Sequence, residues 1–110
     1  MVKRMRIERW HARRDGPLSE AALRQKLEAR GYSCEPRAYP VGSTVAAQAN
    51  EDERVEAVVS GLLKLTIDEE SAILTAGDIV AVPAGAVRRL EVVGDAPVRC
   101  LEARRPANSA

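Results

Sequence analysis

Phenylalanine is absent from this chain, and Trp10, Tyr32 and Tyr39 are its only aromatic residues. A platform that stacks nucleic-acid bases or sugar rings therefore has little to be built from. Histidine is nearly as scarce, since His11 is the only imidazole; a lone histidine beside Trp10 reads as a surface or packing residue rather than a catalytic motif. Cys34 and Cys100 lie far apart with no CxxC pair, which excludes a zinc-type spacing and leaves two buried free thiols as the expectation. Charge of one sign is also lacking: 17 Lys and Arg face 16 Asp and Glu, a formal net charge of +1. That is too little excess for a protein held on phosphates, so no nucleic-acid partner is expected. The basic ends, Lys3, Arg4 and Arg6 at the start and Arg104 and Arg105 at the finish, read as solvated tails. No run reaches the roughly 18 apolar residues of a membrane span, and the start lacks the apolar core of a signal peptide. The expectation is a cytoplasmic protein without a membrane partner.

What is present fits one domain over residues 1–110, with an N-terminal strand and helix in 1–31, a β-rich body in 32–104 and a tail at 105–110. Residues 5–13, MRIERWHAR, alternate apolar and charged positions and predict an edge strand that ends at Asp15-Gly16-Pro17. Ser19 is placed to cap a short amphipathic helix with Leu23 and Leu27 one turn apart and Gly31 at its close. From Tyr32 onward the chain breaks into short runs rich in Val, Ile, Leu and Thr, predicting strands at 33–39, 43–50, 55–59, 62–67, 71–74, 79–82, 87–93 and 98–104. Turn residues this frequent favour an antiparallel sandwich or barrel over helices. Ile79-Val80-Ala81-Val82 is apolar at both parities, which calls for a second layer or a subunit partner behind the sheet, and a homodimer is the expectation.

The spacing of the turn residues is the most specific signal. Gly42 is followed by Gln48, Asn50, Arg54 and Gly61; then GDIVAVPAGAVR sets Gly77, Pro83, Gly85 and Arg88 in a second series. Between about residues 39 and 93 these intervals resemble the two motifs of the cupin superfamily, G, five residues, H-x-H, three or four, E, six, G, and then G, five residues, P-x-G, two, H, three, N. The resemblance implies an all-β jelly-roll barrel, here with one short N-terminal helix. It also implies that Gln48, Asn50, Arg54 and Arg88 stand where the family places its metal-binding His, His, Glu and His, and that Val92 replaces the closing Asn. Neutral amides are weak metal donors, and a guanidinium stays protonated and repels a cation. No metal and no cofactor are therefore expected, and the metal-dependent chemistry common in the family does not carry over.

On that geometry Thr44, Ala46, Gln48 and Asn50 line the lumen from one strand, Arg54, Glu56 and Val58 from the next, and Arg88, Leu90 and Val92 from a third. Leu63, Leu65 and Ile67 fill the closed end. Charges beside an apolar cavity must be paired, hydrated or liganded. Two readings follow for Gln48, Asn50, Arg54, Glu56 and Arg88: a binding site for a small anionic or carboxylate-bearing molecule, in a sensor or carrier, or an internal ion-pair network that plugs a retired metal site. Two rivals differ in class. One is a metal-independent isomerase or lyase with Glu56 or Glu53 as base, no catalytic residue being assigned; the other is a non-catalytic dimerisation module. Glu51-Asp52-Glu53 reads as a solvated turn, and Cys100 as core.

Overall fold

The computed structural model describes residues 5–105. Lys3 and Arg4 of the basic start, and 106–110 of the expected tail, lie outside the described residues. The chain runs β1 (Ile7–Glu8), α1 (Ala12–Asp15), α2 (Glu20–Glu28), β2 (Ser33–Tyr39), β3 (Thr44–Ala49), β4 (Arg54–Ser60), β5 (Leu63–Ile67), β6 (Glu70–Leu74), β7 (Ile79–Val82), β8 (Val87–Val92) and β9 (Val98–Arg104). The strands form a five-stranded sheet, β1-β7-β4-β9-β2, and a four-stranded sheet, β3-β8-β5-β6. Pairing is antiparallel throughout, as a jelly roll requires.

Two apolar layers hold this arrangement. Val58, Val80, Val98 and Cys100 of the larger sheet meet Leu63, Leu65, Leu74, Leu90 and Val92 of the smaller one. Behind the larger sheet, Leu23 and Leu27 of α2 pack on Val55, Ala57, Ile79, Leu101 and Ala103. Strand β4 therefore buries both parities, Val55 and Ala57 toward the helix and Glu56 and Val58 toward the interior. The second layer behind Ile79–Val82 is the chain's own helix. The expected cap forms, with Ser19 Oγ accepting from Ala22 N at 3.0 Å.

The N-terminal segment departs from the expected edge strand over 5–13. Only Ile7–Glu8 pairs, with β7, and the chain then folds into the one-turn α1. Local bonds outcompete further pairing. Trp10 Nε1 donates to Gly16 O at 2.8 Å, His11 N donates to Asp15 Oδ2 at 3.0 Å, and Lys26 Nζ meets Asp15 at 2.8 Å and lies over the Trp10 ring at 4.9 Å. His11 is exposed at the start of that turn.

Strand β3 also departs from simple alternation. Val45 pairs with Leu90, but the next pair is Gln48 with Arg88, so two residues of β3 oppose one of β8. This bulge moves the inward position from Thr44 to Val45, which packs on the core, while Thr44 and Ala46 are exposed.

The motif glycines are not equivalent. Gly42 and Gly61 both have positive φ, but a Cβ at Gly42 meets nothing within 4 Å, whereas at Gly61 it would lie 2.7 Å from Pro97 O. Gly42→Ala should cost roughly 1–2 kcal/mol, the left-handed backbone term, and Gly61→Ala roughly 2–5 kcal/mol because a backbone must also move. Urea unfolding of the two variants measures the difference, and equal costs would contradict it.

Candidate functional site

The interior changes from apolar to polar toward one end. On the inner face of the larger sheet, Val98 and Cys100 give way to Glu102 on β9, and Val58 to Glu56 and Arg54 on β4, with Glu56 directly opposite Glu102. On the smaller sheet Leu90 gives way to Arg88, flanked by Ile67 and Gln48. The turns that close this end are joined by Gly85 N donating to Asn50 O at 2.8 Å, and Arg54 pairs with Val82 just before the Pro83–Gly85 turn. The glycines and proline of the two motifs thus bring residues 48–54 and 82–88 to one mouth.

Arg88 is only 5% exposed and crosses from one sheet to the other. Its Nη1 donates to Glu56 Oε2 and, at 3.1 Å, to Glu102 Oε2. Glu102 is also 3.5 Å from Arg37 of the edge strand β2. Burial pushes the Glu56 carboxyl up to about 7, against the pull of Arg88 and with the help of Glu102. Arg88 is itself penalised by burial but held charged by Glu56. Burial likewise pushes Tyr39 and Cys100 to about 12 each, so the Cys100 thiol stays protonated and unreactive.

The expected site residues therefore separate into two groups. Arg88 and Glu56 are joined in the ion cluster, as the plugged-site reading requires. Arg54 is not joined to it: its nearest carboxylate is the exposed Asp52 at 3.9 Å, and its buried Nη1 has no hydrogen-bond partner among the described residues. Gln48 Nε2 and Asn50 Oδ1 lie 3.4 Å apart. Glu53 is turned away from the interior, where its carboxylate accepts from Tyr32 OH at 2.9 Å. Glu102, Arg37 and Tyr39 were not anticipated as neighbours of this site. The alternation Val98, Cys100, Glu102 carried the signal for Glu102, because its first two members are core residues. Arg37 and Tyr39 carried none, since membership in the site follows only from the pairing of β2 with β9.

A transition metal does not fit this end of the barrel. Two amides and two guanidinium groups occupy the positions of the family's ligands, and the carboxylates that could bind a cation are bonded to Arg88. No group of three His, Cys, Asp or Glu side chains able to hold a metal ion occurs among the described residues.

The state of Glu56 sets a pH dependence. Folded Glu56 keeps its proton up to about 7, whereas an ordinary glutamate releases it near 4.5, so the folded protein binds more protons between these values. The associated stability is full below about pH 4.5 and is lost as pH rises through 7, by on the order of a few kcal/mol. Glu8, held at about 2 by its bond to Arg30, has the opposite sign, but loses its contribution only as pH falls below 4.5. Glu56→Gln should abolish the decline between pH 4.5 and 7 in urea-unfolding free energy; an unchanged decline would assign it elsewhere.

Comparison with known proteins agrees with this architecture. A cupin protein from Bacteroides fragilis superposes with a TM-score of 0.63 at 26% identity, covering 80% of this chain and 76% of that one. An RmlC-like cupin from Shewanella frigidimarina superposes at 0.63 and 20% identity, covering 72% and 69%. A Streptococcus pyogenes protein of unknown function superposes at 0.61 and 19% identity, covering 71% and 68%. No curated protein matches the chain. The cupin domain family matches residues 37–104, from within β2 to the end of β9, and with the two sheets and motif turns in place the chain belongs to the cupin superfamily.

Proposed function

We propose that this cupin binds a small carboxylate- or phosphate-bearing molecule at the mouth of its barrel, as a sensor or carrier. The observation that carries the reading is the buried Nη1 of Arg54, a charged donor with no hydrogen-bond partner among the described residues and only the exposed Asp52, at 3.9 Å, as a counter-charge. A buried donor left unpaired is costly, and an anion would satisfy it with a charge-assisted bond. Gln48 and Asn50, whose amides lie 3.4 Å apart at the same end of the barrel, would add further donors and acceptors. Glu56, Arg88 and Glu102 form the floor, where the Glu102 carboxylate balances Arg88 while Glu56 keeps its proton, so that Arg54 is the charged anchor. A homodimer in a cytoplasmic setting completes this reading.

A second reading takes Glu56 as a proton-transfer base, and its support is a carboxyl held near neutrality in a buried site. It predicts solvent deuterium exchange at the α-carbon of a bound acid, lost in Glu56→Gln. Binding without exchange favours the carrier.

A thermal-shift screen of citrate, succinate and inorganic phosphate tests the proposal. A ligand well above its Kd should raise Tm by roughly 3–6 °C, and Arg54→Gln should remove the rise while leaving the unliganded Tm within a few degrees. No rise from any anion would leave a non-catalytic dimerisation module as the better account. Metal analysis of the purified protein should find no stoichiometric transition metal; finding one would overturn the site described above.

A further inference from the structure

A cleft of about 470 Å³ lies outside the barrel, on the helix-covered face of the larger sheet. This volume is in the range of small-molecule sites. The floor is apolar: Val55, Ile79 and Ala81 from β4 and β7, with Leu27 of α2 as one wall. Val80 packs in the interior; on the outer face Val55 and Ile79 are already packed with Leu23 and Leu27 and nearly buried, whereas Ala81 is exposed and is the open part of the floor. The rim is cationic, carrying Arg6, Arg30 and Arg105 against the single carboxylate of Glu8.

These three arginines are not equivalent. Arg30 is bound to both oxygens of Glu8, at 2.7 and 2.6 Å, so their charges cancel. Arg105 lies over the Tyr32 ring at 4.5 Å and gives one bond, at 2.9 Å, to Arg30 O. Tyr32 OH donates to Glu53 at 2.9 Å. Among the described residues no carboxylate lies within ion-pair distance of Arg6 or Arg105. Both arginines are exposed, in keeping with solvated termini, and both border the same apolar hollow.

We propose that this cleft is a second binding site, taking a small amphipathic carboxylate whose apolar body lies on Val55, Ile79 and Ala81 and whose charge meets Arg6 and Arg105. Neither half of the cleft suits another small ligand as well. A fully polar anion gains nothing from the floor, and a neutral apolar molecule gains nothing from the two guanidinium groups. Arg54 and Val55 are successive residues of β4 and face opposite ways, so the cleft is independent of the barrel mouth.

Octanoate is the probe, and amide NMR with thermal shift the readouts. Octanoate should move the Val55, Tyr32 and Ala81 resonances saturably and raise Tm by roughly 3–6 °C, while 1-octanol should bind at least about tenfold more weakly. Ala81→Leu fills the exposed floor and should abolish binding; Arg6→Ser, at an exposed position, should weaken it about five- to tenfold while the unliganded spectrum is retained. Arg54→Gln, whatever it does to carboxylate binding at the barrel mouth, should leave the octanoate-induced shifts of the Val55, Tyr32 and Ala81 resonances in place. Equal cleft shifts in Ala81→Leu, equal affinity of the cleft for 1-octanol, loss of the cleft shifts in Arg54→Gln, or no response of the cleft resonances would each overturn the proposal.

Discussion

One arginine bonded to two glutamates across the interior is the interaction on which the polar end of this barrel depends. Arg88 arises from the four-stranded sheet, and Glu56 and Glu102 are cross-strand neighbours in the five-stranded sheet. Two carboxylates directly opposite each other repel, and the repulsion is tolerable only with a cation between them or a proton on one. Arg88 supplies the cation and burial supports the proton on Glu56, so the two sheets are tied together at the level where the apolar core ends. Deleting one member would leave a buried charge without its partner, a loss of several kcal/mol, whereas an apolar replacement of the whole cluster could be neutral. The cluster is therefore better understood as a device that sets which side chains occupy the interior than as a source of net stability.

The same cluster explains how a cupin framework persists without the family's ligands. Gly61 cannot carry a side chain without striking Pro97 O, and Gly77 would strike Trp10. These glycines are held in place by the packing of the chain and not by a metal. The turns they make still bring residues 48–54 and 82–88 together, and any side chains at those positions must solve the electrostatic problem of a half-buried polar site. Arg88 meets most of it internally through Glu56 and Glu102, although its Nε and Glu56 Oε1 have no hydrogen-bond partner among the described residues. Arg54, two residues before Glu56 on the same face, stands outside the cluster, with only Asp52 at 3.9 Å as a counter-charge.

Strand β4 shows how one element can serve three surfaces. Its inward residues reach the ion cluster and the core, its outward residues carry helix α2, and near its start Arg54 looks to the barrel mouth while Val55 floors the external cleft. The neighbouring β7, Ile79–Val82, whose apolar residues at both parities called for a second layer or a subunit partner, has such a layer behind it. The layer is intramolecular, and it is incomplete: α2 is nine residues long and leaves Ala81 uncovered.

Much of the barrel was legible in the chain because it depends on local signals. Turn glycines with positive φ, the Pro83 turn, period-two alternation and the Ser19 cap act through nearest neighbours, and their spacing alone led to the cupin resemblance. The exchange of ligand residues was equally plain, since the chemistry of amide and guanidinium groups does not wait for a fold. What remained hidden depends on partners distant in sequence. The bulge in β3 follows from its register on β8, in a stretch whose alanines carry no alternation. The strand expected over 5–13 yields to Asp15 and Lys26, which lie beyond it. Glu102 is 46 residues from Glu56 and Arg88 is 32, yet the sheets bring all three within reach. By itself the sequence determined the barrel, its turns and the loss of its metal ligands; only tertiary structure decided which charges neutralise one another, because pairing energy depends on distances set by packing and not by position along the chain.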